Sequence, residues 1–239
     1  MDCEKSRQAT VAAVLSGLRR DILLGAYGDE RQISEAEVAN KYQVSRSSVR
    51  SAFQDLERDG LLEIQPNGRK ILRNVDQKYI KDLCITRSIL ECEAGRLIMC
   101  QKNPDFSALL KIVGEFFSAQ QMEHGSERSL RLSQLNEKFH DQMFVMAQNV
   151  SLMQCRRTIA PILSAIAELN ATLDLKLNVH GYYEAHKKIA EMLMEKDPEV
   201  IEYIRYHAAE ATLEDFILAI QKARDKNTEN GERQKAVLS

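Results

Sequence analysis

The chain has 239 residues, 44% of them apolar and 28% charged, with a formal charge of −2. Those values exclude a disordered or fibrous protein and leave room for one or two ordinary domains. Residues 1–75 carry 12 basic and 11 acidic groups and the remainder 21 and 24, a balance of +1 and −3. No bulk basic field exists, so a nucleic-acid partner would have to be recognised by where particular charges point.

The longest mostly apolar stretch, APILSAIA from Ala160, falls far short of the roughly 20 residues that cross a bilayer, and MDCEKSRQ has no apolar run behind a basic flank. The five cysteines are odd in number and lack a CxxC pair. Cys84, Cys92 and Cys100 would follow one another at about 12 Å on one helix, too far to bridge. A cytoplasmic protein with reduced thiols and no membrane partner is the expectation.

Three helices and a hairpin are predicted first. Val11, Val14, Leu15, Leu18 and Ile22 recur at helical spacing from Gln8 to Leu24, and Gly25 is a natural stop. Ser34-Glu-Ala-Glu37 has the pattern of a capping box, in which the serine oxygen takes a free backbone N–H and the glutamate reaches back to the cap. It opens a short helix to about Tyr42. Ser45 can cap a third helix with Val49, Ala52, Phe53 and Leu56 buried and Gly60 as its stop. Leu61–Ile64 and Lys70–Leu72 read as strands around a turn at Pro66-Asn67-Gly68. From Gln77 to about Arg224 helical periodicity continues, with breaks near Pro104, His124-Gly125-Ser126, Asn149, His180-Gly181 and Asp197-Pro198. About six helices fit there. His124 and His180 fall at breaks and read as loop residues. The expected division is 1–75, 76–225 and a polar, frayed tail over 226–239.

On the third helix Arg46, Ser47, Arg50 and Gln54 face away from Val49, Phe53 and Leu56, while Asp55, Glu57 and Asp59 gather at the far end. Positive charge is thus confined to the first two turns, where a helix-turn-helix reader enters the major groove and arginine can pair bidentately with guanine. Asn67, Gly68, Arg69 and Lys70 would set basic groups at the tip of a wing beside the DNA backbone. Either feature alone could be an ordinary solvated surface; together they describe a winged helix-turn-helix.

Residues 8–72 resemble the DNA-binding domain of the GntR family of bacterial transcription regulators over "DILLGAYGDERQISEAEVANKYQVSRSSVRSAFQDLERDGLLEI". The family pattern SR-small-x-VR-x-AL stands here as Ser45-Arg46-Ser47-Ser48-Val49-Arg50-Ser51-Ala52-Phe53. The resemblance implies operator contacts by Ser45, Arg46, Ser47, Ser48 and Arg50, and a phosphate contact by Arg31. Ser48 replaces a common proline, Ser51 a usual glutamate, and "YGDE" lacks a customary Pro-Gly.

In the helical half Asn136 and His140 share a stripe with Leu132, Phe139 and Met143, His186 lies with Ile189, Ala190 and Leu193, and His207 with Ile204, Ala208 and Ala211. A single inward histidine is usually a hydrogen-bonded core residue. Three on separate helices favour a shared divalent metal, because burying three unpartnered imidazoles is costly. This half resembles the FCD effector domain of the FadR subfamily: "RSILE", "NEKFHDQMFVMAQN" and "EAHKKIAEMLMEKDPE" followed by His207 carry the likeness. It implies a bundle with metal ligands Asn136, His140, His186 and His207, where Asn136 takes the place of the family's aspartate and removes one negative charge. Zinc, nickel and manganese all suit these ligands. Arg87 could pair with an effector carboxylate or with Glu91, and Arg156 or Arg157 could serve instead.

The expected fold class is therefore mostly α, a winged helix-turn-helix followed by an all-helical FCD-type bundle. The expected function is a homodimeric transcription regulator that binds palindromic double-stranded operator DNA and responds to a small organic acid at the metal. A metal-dependent hydrolase, with Glu184 or Glu210 as base, is the rival reading of the same histidines. A third is a structural bundle that binds nothing.

Overall fold

The computed structural model describes residues 2–28, 30–172 and 181–237. The chain forms two compact units: one holds the residues up to Asp76 together with those from Ala223 onward, the other Gln77–Lys222.

The first unit begins with α1 (Asp2–Leu23), α2 (Glu35–Tyr42) and α3 (Arg46–Arg58). The capping box is present: Glu37 N donates to Ser34 Oγ at 3.2 Å and Ser34 N donates to Glu37 Oε2 at 3.0 Å. Gln43 in the left-handed region ends α2, and Ser45 Oγ accepts from Ser48 N to open α3. Gly60, at φ +71°, makes the turn out of α3. Strands β1 (Leu62–Ile64) and β2 (Lys70–Leu72) pair antiparallel, with Leu62 opposite Leu72 and Ile64 opposite Lys70. Gln32 bridges to Ile71, so the segment before α2 lies along the wing.

Val14, Leu18 and Ile22 of α1 pack on α3, whose Val49, Ala52, Phe53 and Leu56 are buried, as the helical spacing requires. Asp59 is half-buried and accepts from Arg19 Nε at 3.0 Å, tying α3 to α1. Asp21 gathers Lys41 Nζ and the Tyr42 hydroxyl, each at 2.7 Å, and ties α2 to the same helix. Arg224 donates to the carbonyls of Leu23 and Val75, both at 2.8 Å, which caps the end of α1 and holds the last residues of the wing.

The second unit contains α4 (Gln77–Cys100), α5 (Ser107–Gln120), α6 (Ser126–Met146), α7 (Val150–Thr172), α8 (Gly181–Glu195), α9 (Val200–Arg205) and α10 (Ala211–Val237), the last crossing into the first unit's residues. A π-helical turn, Tyr206–Glu210, joins α9 to α10 without a break. Counting that run once, the described residues form six helical rods, in agreement with the periodicity. Phe116, Phe139, Met143, Ile189, Leu193, Val200 and Ile204 fill the centre among α4, α5, α6, α8 and α9.

Two expectations need correction. The C-terminal stretch is not an irregular tail: helix continues to Val237, on from the face that Phe216, Ala219, Ile220 and Ala223 bury and through Gly231. The helix at the start also begins earlier than Gln8, at Asp2. His180 lies outside the described residues.

Gly17 explains how α2 meets α1. A Cβ there would stand 2.5 Å from Tyr42 Cε1, inside the ring whose hydroxyl Asp21 holds. Gly17→Ala should lower stability by about 1–2 kcal/mol, since overpacking against a fixed ring outweighs the gain in helix propensity. Urea unfolding of the variant, with an unchanged slope and a lower midpoint, is the measurement.

Candidate functional site

The first part of the site is the outer face of α3. Arg46, Ser47, Arg50 and Gln54 are exposed while the opposite face is buried. Arg50 is not idle in the free chain. Its Nη2 donates to Glu35 Oε2 at 3.0 Å, and Lys70 Nζ lies 3.7 Å from the other oxygen. The Arg50 hydrogen bond, with Arg50, Lys70 and Arg46 nearby, holds the Glu35 carboxyl below the usual carboxylate range. A solvent-screened surface pair of this kind is weak, and a bidentate base contact is stronger, so Arg50 can exchange one for the other.

The wing places Gly68 at φ +80° and Arg69 exposed beside it, with Arg69 N donating to Asn67 Oδ1 and Arg69 Nη2 to Gln32 Oε1 at 2.7 Å. Arg31, at φ +49°, precedes α2, and its carbonyl accepts from Leu72 N. Ser45 and Ser47 are exposed, their hydroxyls 2.8 Å apart. Ser48 departs from the expected set: it is 5% exposed, and its hydroxyl bonds Ser45 Oγ at 2.9 Å. The side chain supports the cap from inside, because position 48 turns toward the core with Val49 and Ala52.

The second part lies inside the helical unit. His140 of α6, His186 of α8 and His207 of the π turn come together, with one nitrogen of each within 4.8 Å of the others. His186 stacks on Phe116, ring centroids 4.7 Å apart, and its Nδ1 donates to Tyr182 O at 2.5 Å. That bond leaves Nε2 without a proton, aimed at His140 Nε2 3.3 Å away. His140 Nδ1 stands 3.1 Å from Glu91 Oε2, close but poorly aligned for a hydrogen bond. Arg87 donates from Nε to Glu91 Oε1 at 2.7 Å and lies, through Nη2, 2.7 Å from His140 Nε2. His207 Nε2 is buried and has no partner among the described residues. The π turn sets this ring: one extra residue per turn shifts its direction, and Thr212 Oγ1 donates to the His207 carbonyl at 2.7 Å.

Burial strips protons from all three rings. It pushes His207 down to about 3, with His140 and Arg87 adding to the effect. His186 is pushed well below its ordinary value by burial and then by His207, and His140 is lowered by burial against the pull of Glu91. Glu91, buried but flanked by Arg87 and His140, stays ionised. Neutral imidazoles with inward lone pairs, one wholly unpartnered, form the donor set that a divalent ion such as zinc requires, and 3.3 Å is a spacing that two ligands of one ion adopt. Glu91 supplies the outer carboxylate that such ligands commonly carry.

Asn136 is buried one turn before His140, and its Nδ2 donates to Glu137 Oε1 at 3.3 Å. It lines a cavity of about 290 Å³ that Arg87 and His207 also border. Arg87 pairs with Glu91, one of the two partners expected for it, and the same side chain forms cavity wall. Arg156 works elsewhere in the bundle. Buried, it binds Glu137 at 2.7 Å and Asp141 at 3.1 Å and so clamps α7 to α6. Arg157 is exposed. His124 is in the loop before α6, as expected, beside Arg128. Of the two candidates for a hydrolase's base, Glu210 is paired with Arg205 at 3.2 Å, and Glu184 borders the cavity.

Glu91 was expected only as a partner of Arg87, and Glu35, Tyr182 and Asp215 were not expected in these sites. Tyr182 lies one helical turn before His186, whereas Glu35 and Asp215 come near only through the tertiary fold.

A winged helix-turn-helix joined to an all-helical domain with an enclosed histidine centre defines a transcription regulator. Residues 10–69 match the bacterial regulatory proteins of the gntR family and residues 82–227 match the FCD domain. The chain belongs to the GntR family of transcription regulators that carry an FCD domain. It is 27% identical over 181 residues to the "Probable D-xylose utilization operon transcriptional repressor" of Paenarthrobacter nicotinovorans, spanning 76% of this chain and 77% of that one. It is 23% identical to the HTH-type transcriptional regulator YdhC of Bacillus subtilis, over 76% of this chain and 80% of the relative. Among solved structures, Lar, described as controlling the Listeria monocytogenes agr system, shares the fold with a TM-score of 0.60 at 17% identity, over 89% of this chain and 96% of that one. A GntR family member from Pseudomonas syringae has a TM-score of 0.51 at 19% identity, covering 95% and 99%. No helix among the described residues is long and apolar enough to cross a membrane.

The depressed histidines give stability a direction with pH. Above the ordinary histidine pKa, about 6.5, folded and unfolded chains are equally deprotonated. Below it the unfolded chain binds protons that the buried rings refuse, so stability is full at neutral pH and lost as pH falls. For metal-free protein His207 alone should remove about 2 kcal/mol between pH 7 and pH 5. Urea unfolding at both values should show that loss, and His207→Gln should reduce it; an equal midpoint shift in the variant would contradict the assignment.

Proposed function

We infer that the chain binds palindromic operator DNA as a homodimer. Arg46 and Arg50 read base edges in the major groove, with Ser45 and Ser47 on phosphates; Arg31, Asn67, Gly68 and Arg69 meet the backbone at the edge of the site. The observation that carries the reading is the pair of exposed guanidiniums on the first turns of α3, one of them held only by a surface carboxylate. Two-fold symmetry supplies a second reading helix, and hence a palindromic site.

His140, His186 and His207, with Asn136 beside them, would hold a divalent metal, and a small organic acid entering the cavity would reach both it and Arg87. When bound, the ion offers positive charge to a carboxylate. The chain's own residues do the rest: Tyr182 O orients the His186 ring, Phe116 and Phe139 pack against it, and the Glu91 carboxylate lies beside His140. The ligand can alter DNA affinity only by as much as it prefers one arrangement of the protein over another. Asn136 contributes no charge, which makes the acid's own carboxylate more important for completing the site.

Arg50→Ala should cost about 1–3 kcal/mol of specific operator binding without altering the circular dichroism spectrum; an unchanged footprint would refute the base-reading role. His186→Ala should abolish bound metal, measured by elemental analysis, and the response to acids, while basal operator binding persists. If the variant instead fails to fold with metal present, the histidine centre is structural rather than responsive.

A further inference from the structure

The cavity beside the histidines is electrically lopsided. Its only cationic wall residue among those described is Arg87, whose charge is already matched by buried Glu91 at 2.7 Å. Two carboxylates also border it, Glu184 and Asp215. Asp215, on α10 two turns beyond His207, is half-buried, and no described donor bonds to it; the charged neighbour that acts on it is Glu214, of like sign. Burial and that neighbour raise its carboxyl above the ordinary range. A half-buried carboxylate without a partner carries a desolvation cost that a cationic group would remove. Tyr182, Tyr203 and Tyr206 border the same cavity, and aromatic faces attract ammonium groups.

We propose that the effector is an amino-bearing organic acid, its carboxylate directed to Arg87 and the histidine centre and its ammonium to Asp215 and the tyrosines. The inference rests on reading this bundle as the effector site and narrows the class of acid it takes. A plain acid would leave Asp215 unmatched and facing a second negative charge. A ligand with both signs satisfies each end of the cavity, and Asp215 then selects among acids rather than contributing to the fold.

The test uses full-length, zinc-loaded protein and matched linear probes: butanoate, pentanoate and hexanoate against 4-aminobutanoate, 5-aminopentanoate and 6-aminohexanoate, with 4-hydroxybutanoate as a neutral hydrogen-bonding control. Isothermal titration and thermal shift should show at least one amino acid binding about tenfold more tightly than its parent acid, the scale of one desolvated charge pair. Asp215→Asn should erase that difference while leaving zinc stoichiometry unchanged and the unliganded melting temperature no lower. If the parent or hydroxy acids bind as tightly, the proposal falls and the acid-effector reading stands. If Asp215→Asn loses zinc, Asp215 is a metal ligand and the proposal also falls. If no probe binds and the protein takes up no zinc, both readings fail together.

Discussion

Three imidazole nitrogens facing one another in a dry interior are the constraint around which the helical unit is organised. Burial keeps the rings neutral, so each carries a lone pair that must be directed somewhere. Tyr182 O accepts from His186 Nδ1 and the Glu91 carboxylate lies 3.1 Å from His140 Nδ1, and both Nε2 atoms face inward, 3.3 Å apart. Two lone pairs at that distance repel unless positive charge lies close by. Arg87 Nη2, at 2.7 Å from His140, supplies some of it, and Glu91 keeps Arg87 there. The His207 nitrogen remains, buried and without a hydrogen-bond partner among the described residues.

The helices are shaped to serve that point. A π turn is introduced where a straight α-helix would carry His207 past the centre, and the widened ring of bonds is closed by Thr212. Phe116 and Phe139 pack against His186 and fix its plane. Beyond the centre, the Arg156 clamp on Glu137 and Asp141 holds α7 to α6, and Glu137 in turn receives the Asn136 amide. The buried guanidiniums of Arg87 and Arg156 are thus each kept beside carboxylates, as the cost of an isolated charge demands.

The DNA-facing unit solves the opposite problem. Its overall charge is close to zero, so affinity must come from a few guanidiniums kept in water. Glu35 restrains Arg50 through an exposed, solvent-screened pair, while the capping serines and the Gly68 turn present polar groups at defined positions. Interior carboxylates, Asp21 on Tyr42 and Lys41 and Asp59 on Arg19, are used to fix the helices that carry those groups. The same residue types both bind and brace, and exposure distinguishes the two roles.

Local spacing is sufficient for much of this: the capping box, the buried stripe of α3, the turn of the wing, the six helical rods and the inward faces of the three histidines all follow from periods of 2 and 3.6 and from the backbone preferences of serine and glycine. Ser48 escapes such reasoning because a hydroxyl at the first turn can face either DNA or the cap, and only packing chooses. The end of α10 escapes it because polar composition hides a helix whose buried face lies upstream. That Glu35 meets Arg50, that Asp215 borders the cavity beside Arg87, and that three rings converge within 4.8 Å were decisions of the tertiary structure. Those contacts join residues 15 to 128 positions apart, and the distance between such residues is set by how whole helices pack, which no local pattern encodes.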